Sequence, residues 1–202
     1  MFSVLVLLDI SKAFDSVNVE ILLYKLKHYG SSDMTLKFFT SYLKDRIIST
    51  IIGDCVSEPL SCAYGVPQGS YLGPLLFLVY INDLFHLKLN CELVTYADGS
   101  TLICNSSEPL LAVDLINTDL VEIQSWFRDN RLLLNANKSN YIQLKPKNDK
   151  RKLPVNSLIM GLTPLKYSDK VRLLGFFLDE YLSFKYHIDH LCNKLSYVNS
   201  FF

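Results

Sequence analysis

The run MFSVLVLLDI at the start of the chain constrains the fold more than any other stretch. It is apolar as far as Asp9, and a short apolar run of this kind is typical of a buried strand. The run is too short to cross a bilayer, and it lacks the basic residues that begin a signal peptide. We therefore predict a buried first strand that ends at a carboxylate, in a protein that is intracellular, nuclear or cytoplasmic, and not secreted.

A second apolar stretch, LVTYADGSTLIC at residues 93–104, contains a strong turn signal. Asp-Gly between two apolar runs indicates a hairpin, because glycine adopts positive φ at little cost. The stretch predicts two strands joined by a tight turn, with Asp98 and Gly99 at its tip. A second carboxylate is therefore expected at a strand end.

The remaining segments predict helices and strands that do not alternate regularly. Helices are expected from Val19 to a stop at Gly30, from Ser32 or Asp33 through Leu43, from Pro74 to about Leu87, from Ser107 through Phe127, and from Phe184 through Val198. Further strands are expected in RIISTIIGDCVSEPLSCA, NYIQLK, SLIM and VRLLGFFLD. The third helix is apolar on nearly every side and should be buried. The pattern favours an α+β fold, a sheet with helices packed on one face.

Composition limits the partners and the compartment. With 202 residues, half of them hydrophobic, the chain suffices for one domain. Twenty basic residues balance twenty acidic ones, so nucleic acid would have to be held by local patches. The five cysteines form no C-x-x-C pair, which favours a reducing compartment over a disulfide or zinc framework. We interpret the cysteines as core residues.

Asp9 and Asp98 are the candidate metal ligands. Carboxylates from two neighbouring strand ends could hold Mg²⁺, which favours one or two carboxylates together with water and substrate phosphates. Two such ions about 3.5–4 Å apart would clamp the attacking and leaving oxygens of a nucleotidyl transfer. The alternative is structural, because Asp after a strand often forms a turn or caps a helix. Taken one at a time, each aspartate favours the structural interpretation.

Six stretches follow one another along nearly the whole chain: LLDISKAFDSVN, SYLKDR, GVPQGSYLGPLLFLVYINDL, YADGS, LLLNANKSNY and VRLLGFFLDEYLSFKYHIDHL. In this order they resemble the motifs of reverse transcriptases of the non-long-terminal-repeat retrotransposon type. The resemblance implies a polymerase palm-type antiparallel sheet with helices packed on one face, partial fingers and a truncated thumb. Residues 1–202 would be a single domain fragment: the palm, a fingers-like insertion at residues 31–64, and the start of the thumb or a connecting helix at residues 183–202.

The resemblance also implies roles for individual residues. Asp9 and Asp98 would be the catalytic carboxylates, and they would hold Mg²⁺ or Mn²⁺. The nucleotide-binding residues would be Phe14, which excludes a 2′-hydroxyl, Gln68 and Gly69, which line the pocket, and Lys138, which contacts the triphosphate or supplies a proton to the pyrophosphate. LLGF would form the hairpin that grips the primer. The implied partners are an RNA template, a DNA primer and a deoxynucleoside triphosphate, with no membrane.

Position 99 departs from the family pattern, which has a second aspartate after Asp98. Loss of one of three carboxylates would cost on the order of 4 kcal/mol in the transition state, or about a thousandfold in rate. Upstream fingers segments and the thumb are also expected to be missing, so these segments or a protein partner would be needed to complete the domain. The metal would be bound weakly, since one carboxylate is absent. The predicted function is a reverse transcriptase domain fragment, related to RNA-directed DNA polymerases, that is inactive or weakly active.

Other interpretations stay open. The chain could be a non-catalytic module, derived from a retrotransposon, that binds nucleic acid or a protein. It could instead be a weakly active polymerase in which Mn²⁺ or Asp15 compensates for the missing ligand. The basic run at residues 145–152 could contact nucleic acid, although a solvated loop is the simpler interpretation. His187, His190 and Cys192 could ligate a metal, but the sequence shows no fourth ligand.

Overall fold

The computed structural model describes residues 2–199. In chain order its strands are β1 (Phe2–Asp9), β2 (Arg46–Ile48), β3 (Ile51–Ile52), β4 (Cys55–Val56), β5 (Leu60–Cys62), β6 (Glu92–Tyr96), β7 (Gly99–Ser106), β8 (Asn140–Leu144), β9 (Ile159–Met160), β10 (Thr163–Pro164), β11 (Lys166–Tyr167), β12 (Lys170–Leu173) and β13 (Phe176–Asp179). The helices are α1 (Val19–His28), α2 (Asp33–Leu43), α3 (Leu72–Ile81), α4 (Pro109–Asp129) and α5 (Lys185–Asn199), with 3₁₀ turns at Ala13–Ser16 and Asn82–His86.

The first strand, β1, lies at the centre of a five-stranded sheet of order β11-β8-β1-β7-β6. It pairs antiparallel with β7 on one side and with β8 on the other. The predictions of a buried first strand and of a sheet in a mixed α and β fold are confirmed. The prediction of a wholly antiparallel sheet is wrong at one edge. There β11 pairs parallel with β8. The chain leaves β8, forms the β9–β10 hairpin, and then returns as β11, which runs in the direction of β8.

Helices cover one face of the sheet, and a hairpin covers part of the other. Val4, Val6 and Leu8 of β1 are buried in the main core together with residues of α1, α3 and α4. Alternate residues of a strand point to opposite faces. On the other face, Leu5 and Val171 join a small cluster under the β12–β13 hairpin. The part of this face near the end of β1 lies open and forms a cleft.

Capping signals in the sequence set where the helices begin. Asn18 Oδ1 accepts from the Ile21 N–H at the start of α1, at 3.0 Å. Ser32 Oγ accepts from the Thr35 N–H at the start of α2, at 3.2 Å. Pro109 opens α4, where its missing N–H costs no hydrogen bond. These three helices are therefore confirmed within a few residues of their predicted bounds.

Burial of α3 on all sides is a wrong prediction. Leu76, Phe77 and Tyr80 are buried, whereas Leu75 and Leu78 are 54% and 50% exposed. The helix contacts the core along one side, so its outward residues lie at the surface despite being apolar. No helix within residues 2–199 is long and apolar enough to cross a membrane.

Two of the cysteines are more exposed than predicted, and the last helix also leaves apolar residues exposed. Cys91 and Cys104 are buried, but Cys55 and Cys192 are exposed, since they lie in the peripheral β3–β4 ribbon and in α5. In α5, the rings of Tyr186, His187 and His190 pack against Phe177 of β13, while Ile188, Leu191 and Leu195 are exposed. Two predictions lie outside what the structure describes: the apolar side chain of Val198 in the last helix, and residues 200–202 of the predicted thumb segment.

A buried polar network joins α1, α3 and the end of α4. Lys25 is 7% exposed, and its Nζ donates to Asp83 Oδ1 and to the Tyr80 carbonyl oxygen, both at 2.6 Å. Burial lowers the pKa of Lys25, and the hydrogen bond to Asp83 opposes this change. The Tyr80 hydroxyl donates to the Asn130 carbonyl oxygen, and burial raises the pKa of Tyr80 to about 12. The stretch YINDL therefore fixes how these helices meet.

Candidate active site

The open part of the sheet forms a cleft of about 350 Å³ at the end of β1. Its lining includes Leu7 and Asp9 of β1, Val94 and Tyr96 of β6, Gly99 and Ile103 of β7, Arg172 of β12, and Lys138 from the loop before β8. The floor is mostly apolar, and one carboxylate and two cations line the same cleft. The structure thus brings Asp9, Lys138 and position 99 to one cleft.

Gly99 lies directly opposite Asp9. The two residues are partners in the antiparallel ladder between β1 and β7, and Gly99 also pairs with Tyr96 across the hairpin. Asp98 and Ala97 form the two-residue turn between β6 and β7, and Asp98 is exposed there. The predicted hairpin is confirmed. It places Asp98 beside the residue that faces Asp9, although Asp98 is not among the residues that line the cleft.

The turn uses a different residue from the one expected to adopt positive φ. Ala97 has φ 52°, whereas Gly99 is not in the left-handed region. A Cβ on Gly99 would have one neighbour within 4 Å, the Tyr96 carbonyl oxygen at 3.5 Å, which is an ordinary contact. The hairpin therefore does not require glycine at position 99. What the glycine removes is a side chain opposite Asp9.

A second cleft, of about 870 Å³, lies between the β2–β5 ribbon and the loop GVPQGS. Gln68 lines it, and its Nε2 donates to Asp15 Oδ1 at 2.7 Å. Phe14 packs on Phe77, with ring centroids 4.8 Å apart. Gly69 has φ +76°, and a Cβ there would have no neighbour within 4 Å. Asp15 lines this second cleft and not the one with Asp9, which weighs against it as a substitute ligand.

Gly65 holds the loop GVPQGS against the 3₁₀ turn that carries Phe14. The Gly65 N–H donates to the Val17 carbonyl oxygen at 2.7 Å, and the Val66 N–H donates to the Phe14 carbonyl oxygen at 2.9 Å. Gly65 has φ +79°, and a Cβ there would lie 2.8 Å from Asp15 Cα and 2.9 Å from two backbone oxygens. Only glycine fits this crossing without displacing backbone.

Arg46 secures the same loop from its other side. Its Nη2 donates to the carbonyl oxygens of Tyr64 and Gly65, both at 2.6 Å, and its Nε donates to the Leu43 carbonyl oxygen at 3.1 Å. The guanidinium is therefore engaged with backbone. Sequence reasoning assigned a role to neither Gly65 nor Arg46, although the arginine ends the stretch SYLKDR and the glycine begins GVPQGS.

Arg172 is a second cation in the first cleft that sequence reasoning missed. Its guanidinium carbon lies 5.7 Å from the centroid of the Phe177 ring, a cation–π distance that orients the side chain. The sequence signal that could have identified Arg172 is the alternation in VRLLGF, where exposed Arg172 follows buried Val171. Together with Lys138, Arg172 makes the cleft favourable for phosphate oxygens.

The basic run at residues 145–152 presents fewer free charges than its sequence suggests. Lys145 is 8% exposed, and its Nζ donates to the Arg151 carbonyl oxygen at 3.1 Å. Arg151 pairs with Asp149 at 2.6 Å and lowers the pKa of that carboxyl to about 2. The exposed lysines of this run are Lys147, Lys150 and Lys152.

The donor set of the first cleft suits a hard divalent cation. Carboxylate oxygens are preferred by Mg²⁺ and Mn²⁺. Asp9 provides one carboxylate in the cleft, and Asp98 provides a second at the hairpin turn beside it, outside the lining. Within residues 2–199, no three His, Cys, Asp or Glu side chains are grouped so that they could hold a metal ion. This finding also weighs against the His187, His190 and Cys192 hypothesis. Within the described residues, Asp9 and Asp98 alone do not make up such a group of three.

Comparison with known proteins identifies related sequences. The family model described as reverse transcriptase (RNA-dependent DNA polymerase) matches residues 3–178. The chain is 30% identical, over 191 residues, to the RNA-directed DNA polymerase from mobile element jockey of Drosophila melanogaster, and the match covers 91% of this chain and 20% of that protein. It is 31% identical, over 198 residues, to a probable RNA-directed DNA polymerase from transposon BS of the same species, covering 91% and 21%. The chain thus spans about a fifth of the length of these curated relatives.

Solved structures with a similar fold include two telomerases. One is telomerase from Candida albicans in complex with a fragment of telomeric RNA, with a TM-score of 0.60, 13% identity, and coverage of 90% of this chain and 31% of that one. The other is apo telomerase from Candida tropicalis truncated from its C-terminal domain, with a TM-score of 0.56, 14% identity, and coverage of 91% and 35%. At these identities the likeness shows a shared fold.

Proposed function

Since the chain belongs to the reverse transcriptase family, we propose that it is the palm of an RNA-directed DNA polymerase of the retrotransposon type, impaired by Gly99. The partners would be an RNA template, a DNA primer and a deoxynucleoside triphosphate, met in the nucleus or cytoplasm. Residues 31–64 would be its fingers-like insertion, and residues from 183 onward would begin the thumb or a connecting helix.

The observation that carries this proposal is the register between β1 and β7. It sets Asp9 opposite position 99 and next to the turn that holds Asp98. Asp9 and Asp98 would hold Mg²⁺ or Mn²⁺, which when bound would polarise the reacting phosphate and activate the primer 3′-hydroxyl. Lys138, in the same cleft as Asp9, would attract the triphosphate.

The second cleft would serve the base and sugar of the incoming nucleotide. Gln68 lines that cleft. Gly69, the next residue, would let the nucleotide approach its backbone, because a Cβ there would have no neighbour within 4 Å. Phe14, whose ring packs on Phe77, would exclude a 2′-hydroxyl. Arg172 would contact phosphates of the primer strand, since it stands on the β12–β13 hairpin that contains LLGF.

The unaltered chain is expected to add a matched nucleotide to a DNA primer on an RNA template slowly, and faster in Mn²⁺ than in Mg²⁺. Mg²⁺ demands near-ideal octahedral coordination, and Mn²⁺ binds more tightly to a given set of ligands, so a site short of one ligand favours Mn²⁺. The measurement is single-turnover incorporation of one labelled deoxynucleotide with protein in excess.

Asp9→Asn is expected to abolish this incorporation, because it removes a charged ligand and keeps the volume of the side chain. A template whose next base does not match the nucleotide controls for untemplated addition. Equal incorporation by Asp9→Asn, or on the mismatched template, would contradict the proposed function.

A further inference from the structure

The strand that carries Asp9 changes its hydrogen-bonding neighbour at that residue. Before it, Leu7 of β1 pairs with Asn140 of β8. Beyond it, the Ser11 N–H donates to the Leu133 carbonyl oxygen at 2.8 Å, so the chain pairs with a different segment. The residues that connect these two segments loop out of the ladder. Asp9 therefore lies at a junction where no regular strand partner faces it on this side.

Ser139 closes this junction with its side chain. Its Oγ accepts from the Asp9 N–H at 3.0 Å and donates to the Asn135 carbonyl oxygen at 2.8 Å. The Asn135 N–H in turn donates to the Asp9 carbonyl oxygen at 2.8 Å. Ser139 is 0% exposed, so water does not compete for its hydroxyl. In a regular ladder a backbone carbonyl would receive the Asp9 N–H, and here a hydroxyl does so.

The loop that holds Asp9 also carries Lys138. The Lys138 N–H donates to both the carbonyl oxygen and Oδ1 of Asn135, each at 3.2 Å. The residue lines the same cleft as Asp9. One loop of five residues, Asn135 to Ser139, therefore fixes the backbone of both residues. Asn135 bonds to Asp9 and to Lys138, and the Ser139 hydroxyl links the Asp9 N–H to the Asn135 carbonyl oxygen.

We propose that Ser139 is a positioning residue that sets the Asp9 carboxylate relative to Lys138 and the hairpin tip. It touches no substrate, and it acts through the backbone of Asp9. The inference rests on the proposed function in one respect, that Asp9 binds a divalent cation. Partners that orient metal ligands commonly change metal affinity by about 10- to 100-fold when they are removed.

Ser139→Ala is expected to weaken Mn²⁺ binding by about tenfold and to speed hydrogen exchange of the Asp9 amide by at least about tenfold. Mn²⁺ binding is measured from the electron paramagnetic resonance signal of the free ion, and amide exchange by nuclear magnetic resonance. Ser139→Thr keeps the hydroxyl and is expected to restore both values. If alanine reduces the yield of folded protein, Ser139→Cys gives the same comparison, because a thiol is only a weak acceptor.

Ser106 provides a matched control at the other end of β7. It is 6% exposed, and its Oγ donates to the Glu108 carbonyl oxygen and accepts from the Glu108 N–H, as Ser139 does between its own two partners. Ser106→Ala is expected to leave Mn²⁺ affinity and Asp9 exchange unchanged. If the role of Ser139 were purely structural, Ser139→Ala and Ser106→Ala would have the same Mn²⁺ affinity and the same exchange rate of the Asp9 amide.

The outcomes separate this inference from the proposed function. Unchanged Asp9 exchange in Ser139→Ala overturns the inference, whatever the metal does. Unchanged Mn²⁺ affinity in Ser139→Ala, where Asp9→Asn does lose Mn²⁺, overturns it as well. Equal Mn²⁺ binding by Asp9→Asn and the unaltered chain would instead overturn the metal site of the proposed function, and Asp9 exchange would still decide the role of Ser139.

Discussion

Gly99→Asp is expected to raise the rate of single-nucleotide addition by about a thousandfold, which corresponds to about 4 kcal/mol in the transition state. Position 99 is the ladder partner of Asp9, so a carboxylate there would join Asp9 and Asp98 at one strand end. The third charged ligand would fix the ion that activates the nucleophile. The measurement is the single-turnover incorporation rate in Mg²⁺, compared with that of the unaltered chain.

Gly99→Asp is expected to gain this rate without losing the fold. A side chain at Gly99 would have the Tyr96 carbonyl oxygen, at 3.5 Å, as its one neighbour within 4 Å of the Cβ, and the backbone there is not left-handed. The unfolding midpoint should therefore stay within about 4 °C, the change that 1 kcal/mol produces in a domain of this size. Gly99→Asn is the matched control, since it has the same shape without the charge. If the asparagine variant gains as much rate as the aspartate variant, the ligand explanation is wrong.

Gly65→Ala is expected to destabilise the protein by about 3 kcal/mol. A left-handed conformation costs a residue with a Cβ about 1–2 kcal/mol, and a Cβ contact of 2.8 Å with backbone adds strain of similar size. The unfolding midpoint should fall by roughly 6–12 °C. Thermal unfolding followed by circular dichroism measures this change.

Gly30→Ala separates the cost of the left-handed backbone conformation from the strain of the Cβ contact. Gly30 has φ +87°, but a Cβ there would meet no atom within 4 Å, so this variant carries the conformational cost alone. It is expected to lose about 1 kcal/mol. Equal destabilisation by the two variants would show that the crossing between Gly65 and the Phe14 turn is looser than the described contacts imply.

Local patterns in the sequence predicted most of the elements of this fold. The apolar run up to Asp9 predicted β1, Ser32 predicted the start of α2, and Asp-Gly predicted the hairpin of β6 and β7. These predictions succeed because a short segment of chain determines capping, turn chemistry and alternation. The motif resemblance predicted the family, and the cleft brings together Asp9, Lys138 and position 99.

Features that depend on distant parts of the chain could not be predicted in this way. Ala97 takes the positive φ of the turn, although glycine two positions later is the residue with the lower intrinsic cost. The entry of Arg172 into the cleft and the bond between Ser139 and Asp9 depend on tertiary pairing across more than 100 residues. The exposure of Leu75 follows from how much of α3 the neighbouring elements, chiefly α1, cover, and the composition of the helix carries no information on that.

Position 99 is expected to belong to the same metal site as Asp9, its partner in the ladder. The measurement is a Mn²⁺ titration of three proteins: the unaltered chain, Gly99→Asp, and the double variant Asp9→Asn with Gly99→Asp. Gly99→Asp is expected to bind Mn²⁺ at least about tenfold more tightly than the unaltered chain, because a cation site tightens with its count of charged ligands. The double variant is expected to lose this gain. Equal affinities for the unaltered chain and Gly99→Asp, or a gain that persists without Asp9, would contradict a shared metal site.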